Sequence, residues 1–207
     1  MKLHHSSALL LIVMTATSAQ AEEADAVRGT FAPLNAFGAD VSGDVSMTPG
    51  NGGLEIGLDV EGLSPGMHLA HVHGFAVADP GQSTCPGPDA DANGDGYVDL
   101  IETRDAAGVT MIPLTDAPAS LEIQSQSYPT AQEDGSMTYR QTVDLSALAE
   151  AVSDKFGTPL ALERRVVFIH GAPAGASLPD SVRSLEGVPA SVTIPIACAE
   201  LGPVQAD

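Results

Sequence analysis

The sequence predicts an all-β protein, an antiparallel sandwich or barrel of about eight short strands, on three observations. Apolar and polar residues alternate at period two in several short segments, Gly and Pro separate those segments, and a single stretch has helical spacing. The clearest strand is 54–61, where Leu54, Ile56, Leu58 and Val60 should face a core while Glu55, Asp59 and Glu61 face water. Weaker alternation before it marks 41–47. After the turn Ser64-Pro65-Gly66 come candidate strands at 69–75, 109–114 and 120–124. Beyond the turn Asp134-Gly135-Ser136 lie 138–143, 165–170 and 191–197. The helical stretch runs from Asp144 to Phe156. It sets Leu145, Leu148, Ala149 and Val152 on one face behind a cap at Asp144 or Ser146, and its expected role is to cover an open end of the sandwich.

The first 21 residues hold one Lys, no acid, an apolar run from Ala8 to Met14 and a small-x-small ending at Ala21, the pattern of an export signal. That run is shorter than the roughly 20 residues a membrane span requires, and no other segment is long enough. The expectation is a periplasmic or secreted protein, cut after Ala21, whose single domain occupies 22–207. The whole chain carries a formal charge of −19 with 27 acidic residues against eight basic ones, which makes nucleic acid and anionic lipid poor partners. No nucleophile elbow and no phosphate-cradling loop occurs.

Residues 91–102 read as a calcium loop. Asp91, Asn93, Asp95, Asp99 and Glu102 put oxygen side chains at positions 1, 3, 5, 9 and 12 of a twelve-residue EF-hand loop, with Gly96 at the sharp turn in position 6. Tyr97 would add its backbone carbonyl, and Glu102 both carboxylate oxygens. The register is fixed internally, because a start at Asp89 would put Leu100 in the last position, where a carboxylate is needed. The preceding Pro- and Gly-rich stretch from Asp79 cannot be an entering helix, so this is a lone loop set between strands, suited to pinning a long connection.

Beyond the export signal every His falls in one of two places, His68, His71 and His73 in one segment and His170 in another. On an extended strand His71 and His73 share a face about 7 Å apart, a suitable separation for two imidazoles meeting one metal, with His170 as third ligand. Taken singly, a strand histidine is more often just a hydrogen-bonded one. Cys85 and Cys198 are the two cysteines, and in an oxidising compartment they should form one disulfide; two free thiols acting as soft metal ligands are the alternative.

These residues carry a resemblance. Gly62-Leu-Ser-Pro-Gly-Met-His68-Leu-Ala-His71-Val-His73 resembles the G-L-x-P-G-x-H-G-F-H-x-H segment of copper/zinc superoxide dismutases, and Arg165-Val-Val-Phe-Ile-His170 resembles their R-x-x-V-x-H strand. Cys85 and Cys198, the latter in Ile196-Ala197-Cys198, match the places of the family's disulfide. Over roughly residues 40 to 200 the resemblance implies an eight-stranded Greek-key sandwich, with copper held by His71, His73 and His170 and His68 as a supporting residue. Two departures bear on activity. No His occurs between Gly74 and Ile169, so the imidazole that bridges copper and zinc, and a zinc site of the family's type, have no counterpart. Pro195 stands where the family has the arginine that guides superoxide.

The sequence therefore supports a calcium- and copper-binding protein, with superoxide dismutation or copper handling as the implied activity. The run Gly62-Leu-Ser-Pro-Gly to His71-Val-His73-Gly also resembles CHRD-type domains, and that likeness implies a non-enzymatic extracellular module with a protein or matrix partner and a structural calcium site.

Overall fold

Eight strands of four residues or more form two sheets in this computed structural model, which describes residues 25–123 and 126–204. They are β1 (Val27–Thr30), β2 (Ser42–Gly50), β3 (Gly53–Glu61), β4 (Leu69–Gly74), β5 (Val109–Pro113), β6 (Met137–Val143), β7 (Val166–His170) and β8 (Pro195–Glu200). The first sheet has the order β1-β2-β3-β6 and the second β8-β7-β4-β5, with two-residue strands extending the β1 and β8 edges. All pairings are antiparallel. The chain lays down three strands, crosses to the second sheet for β4 and β5, returns for β6 and crosses again for β7 and β8. These crossings give the Greek-key connectivity expected of the sandwich. The segment 1–21, expected from its sequence to be an export signal, lies outside the described residues. Among the described residues no helix is long and apolar enough to cross a membrane.

Local chemistry explains the register. Asn51-Gly52 closes the β2–β3 hairpin as a two-residue turn between Gly50 and Gly53, and the chain re-enters the sheet at Gly53 with φ +120, a conformation that glycine adopts without strain. In β3, Leu54, Ile56, Leu58 and Val60 are buried at 2% exposure or less, as the alternation requires. In β4 and β7 the alternation sorts two kinds of residue. Ala70, Val72, Val167 and Ile169 enter the core between the sheets. His71, His73, Phe168 and His170 point to the opposite face of the second sheet. Loops roof that face, so it too is dry: Val98 and Ala107 pack there with Leu34, Val166, Phe168 and Cys198.

The predicted helix is α2 (Leu145–Phe156), following the short α1 (Arg104–Ala107). The Asp144 side chain accepts from Ala147 N–H as its N-cap, and Leu148 and Val152 are buried. Two expectations need correction, and one strand was not expected. The segment 120–124 is not a strand over its described part: Pro118–Ser120 form a 3-10 turn, and Leu121 follows at φ 53 with its side chain buried. The segment 191–197 begins as a helical turn, α3 (Ala190–Thr193), and becomes strand at Pro195. β1 carries too little alternation to be read from sequence. Its Gly29 is required because a Cβ there would lie 2.5 Å from the Glu200 carbonyl oxygen.

Candidate metal centre

Cross-strand register assembles the histidines. In the β4–β7 pairing His71 lies opposite Phe168 and His170 opposite Leu69, so the three imidazoles converge on the outer face of one sheet. Ring centroids are 6.0 Å apart for His71–His73, 5.3 Å for His71–His170 and 5.7 Å for His73–His170. Each offers one ligand atom within 4.8 Å of those of the other two, and all three are buried. No other group of three or more His, Cys, Asp or Glu meets that criterion among the described residues.

The remaining nitrogens are held. His71 Nε2 lies 2.6 Å from the Tyr128 hydroxyl, His73 Nε2 3.2 Å from the Thr110 hydroxyl, and His170 Nδ1 donates to the Thr193 carbonyl at 2.8 Å. Tyr128 in turn donates its single proton to the Ile123 carbonyl at 2.9 Å, so His71 Nε2 must be the donor to the phenol oxygen. That leaves His71 Nδ1 and His170 Nε2 as unprotonated lone pairs. His71 Nδ1, His73 Nδ1 and His170 Nε2 are buried and have no hydrogen-bond partner. Burial pushes His71 and His73 well below the ordinary histidine pKa, with His170 adding to the effect, and pushes His170 down to about 4. The cluster is neutral at physiological pH.

His68 is outside the cluster but braces it. Its Nδ1 lies 2.9 Å from the His170 carbonyl oxygen and its Nε2 2.8 Å from that of Ser64. Arg165, at 1% exposure, is structural: it donates to the carbonyls of Leu160, Phe75 and Pro159 and to the Thr158 hydroxyl. A cleft of about 670 Å³ opens over the centre, with His71 and His170 among its lining.

The roof of the centre includes the loop 91–102. Asp91 accepts from the N–H groups of Gly94, Asp95 and Gly96; Asn93 accepts from Asp95 N–H and Asp95 from Tyr97 N–H. Gly94 and Gly96 turn the chain at φ +73 and +89. Glu102 accepts from Ala92 and Asp99 N–H. Ser181, then the Tyr97 N–H, Asn93 and Arg183, hold the Asp95 carboxyl below the usual range; its Oδ2 is buried without a partner of normal hydrogen-bond geometry. The acids of this loop are not drawn together as tightly as the histidines.

Sequence reasoning missed what anchors that loop. Both backbone groups of Val98 are taken by the Asn35 carboxamide, at 2.8 and 2.9 Å, as a neighbouring strand would take them. Arg183 bonds Asp99 Oδ2 through N–H at 2.8 Å and Nε at 3.0 Å, and reaches Glu102 Oε1 at 3.4 Å. Cys85 and Cys198 are disulfide-bonded, which ties the segment before the loop to β8 and removes both thiols as ligands. Tyr128, Thr110 and Thr193 were missed as well, since their spacing from the histidines follows no motif.

No protein-family model matches the chain, and no curated protein matches it either. Among solved structures it is similar to the Cu/Zn superoxide dismutase from Brucella abortus, at 17% identity and a TM-score of 0.41, over 85% of this chain and 99% of that one.

Proposed function

We propose that this is an exported metal-binding protein that holds copper at His71, His73 and His170 and calcium in the loop 91–102. The observation that carries the copper reading is the set of three buried ring nitrogens without partners in one cluster. Each such atom costs about 1–3 kcal/mol if it is left without a partner. One metal ion takes all three. Neutral imidazole suits copper, which heads the divalent affinity series for nitrogen sites, and three protein ligands leave room for an exogenous one. Bound copper would supply a one-electron couple. The chain's part is to keep the imidazoles neutral, to fix two of their tautomers through Tyr128 and Thr193, and to restrict approach to the cleft.

The test is copper stoichiometry and affinity for the wild type and His170→Ala. One copper per wild-type chain and an affinity at least about 100-fold lower in the variant are expected, since loss of even an outer-shell partner costs about 10–100-fold. Equal affinities would sink the three-histidine reading.

Calcium is supported by the EF-hand spacing of the oxygen side chains in 91–102. Superoxide dismutation is one activity for such a centre. A non-enzymatic module of CHRD type is the second reading, favoured by Pro195 in place of a guiding cation and by the absence of a bridging histidine.

A further inference from the structure

The cleft over the histidines is unlike an entrance for a small anion. Its walls come from separate segments and are mainly apolar: Met67, Leu69, Leu100, Ile123, Leu185 and Val192 all line it. Six large hydrophobic side chains are exposed among the described residues, and three of them, Met67 at 43%, Leu185 at 41% and Val192 at 37%, stand at this one opening. Such convergence marks a binding site more often than chance exposure does. The lining holds one cation, Lys155, whose Nζ already donates to the Leu121 carbonyl at 2.8 Å, and one anion, Glu122. Neither these opposed charges nor a chain of −19 draws an anion inward. The volume, about 670 Å³, lies in the range of small-molecule sites.

We propose that this cleft binds a neutral, largely apolar organic molecule with one nitrogen, oxygen or sulfur donor, which reaches the metal's open position while its apolar part lies against the cleft walls. The donor requirement rests on the metal reading above; the apolar selectivity does not.

The experiment uses the protein loaded with Co²⁺ in the histidine centre, whose visible absorption reports coordination, and two probes, imidazole and 4-phenylimidazole. The phenyl ring should make 4-phenylimidazole bind about 10–50-fold tighter than imidazole, a preference that Co²⁺ in water does not have. Leu185→Glu should reduce that preference to about threefold or less. Val204→Glu, at an exposed position outside the cleft, should leave the preference intact. A preference no larger than that of aqueous Co²⁺ would overturn the proposal. A parallel titration of metal-free protein with the neutral fluorophore N-phenyl-1-naphthylamine separates the two readings. Binding that Leu185→Glu abolishes, in a protein that takes up no Co²⁺, would support the apolar site and remove the metal reading. Cobalt uptake without either probe effect would do the reverse.

Discussion

At the scale of single residues, the centre depends on hydrogen bonds that face away from it. Tyr128 fixes the His71 tautomer because its own proton is committed to Ile123. Burial, with Glu122 nearby, raises the Tyr128 pKa, so the phenol keeps that proton. Tyr128→Phe should lower copper affinity about 10–100-fold while the chain still folds, as measured by competition with a chromophoric chelator. The histidines also predict a pH response of the metal-free protein. Their folded pKa values lie below the 6.5 of a free imidazole, His170 at about 4 and the others well below 6.5. The unfolded chain therefore binds more protons across that interval, and stability is lost as pH falls through it. Urea midpoints of the metal-free protein should drop from about pH 6.5 toward 4, and His170→Gln should flatten part of that slope. A midpoint independent of pH over this range would contradict the buried neutral cluster.

At the scale of elements, the roof couples two candidate sites. Arg183 holds Asp99 and Glu102 of the loop, the next residue bonds the Thr193 hydroxyl through Ser184 Oγ at 2.7 Å, and the Thr193 carbonyl takes His170 Nδ1. Calcium binding by both oxygens of Glu102 would compete with Arg183 for that carboxylate. Copper affinity should then differ by about fivefold or more between calcium-saturated and chelated protein, and Arg183→Gln should shrink the difference. Identical affinities in both conditions would mean that the roof transmits nothing. Elements with strong local signals were legible in the sequence: β3 by alternation, α2 by its face and Asp144 cap. β1 was not, because one inward Val and one Gly make no pattern. The 120–124 segment alternates too, but Pro118 and the left-handed Leu121 take the backbone of its described residues, 120–123, out of any sheet.

At the scale of the molecule, the roof is fastened to the sandwich by the Cys85–Cys198 disulfide, which spans a sequence separation of 113. On chain-entropy grounds it stabilises the fold by about 4–5 kcal/mol. The double variant Cys85→Ser, Cys198→Ser should show a correspondingly lower unfolding free energy in urea. Calcium removal should act on the same roof, lowering the melting temperature and exposing 91–102 to proteolysis; a chelated sample as stable and as resistant as the saturated one would exclude a structural role for calcium.

Alternation, turn residues and the helical face by themselves determined an antiparallel all-β architecture, sandwich or barrel, because those signals are local. The residue types at 71, 73 and 170 and the oxygen spacing of 91–102 likewise named the candidate ligands. Only the tertiary structure decided that the three imidazoles meet, that Tyr128 and Thr193 face their other nitrogens, and that an apolar cleft opens above them. Each of those depends on strand register or on loops packing across the outer face of a sheet. Register and loop packing are set by contacts between residues distant in the chain, and no periodicity within a segment encodes them.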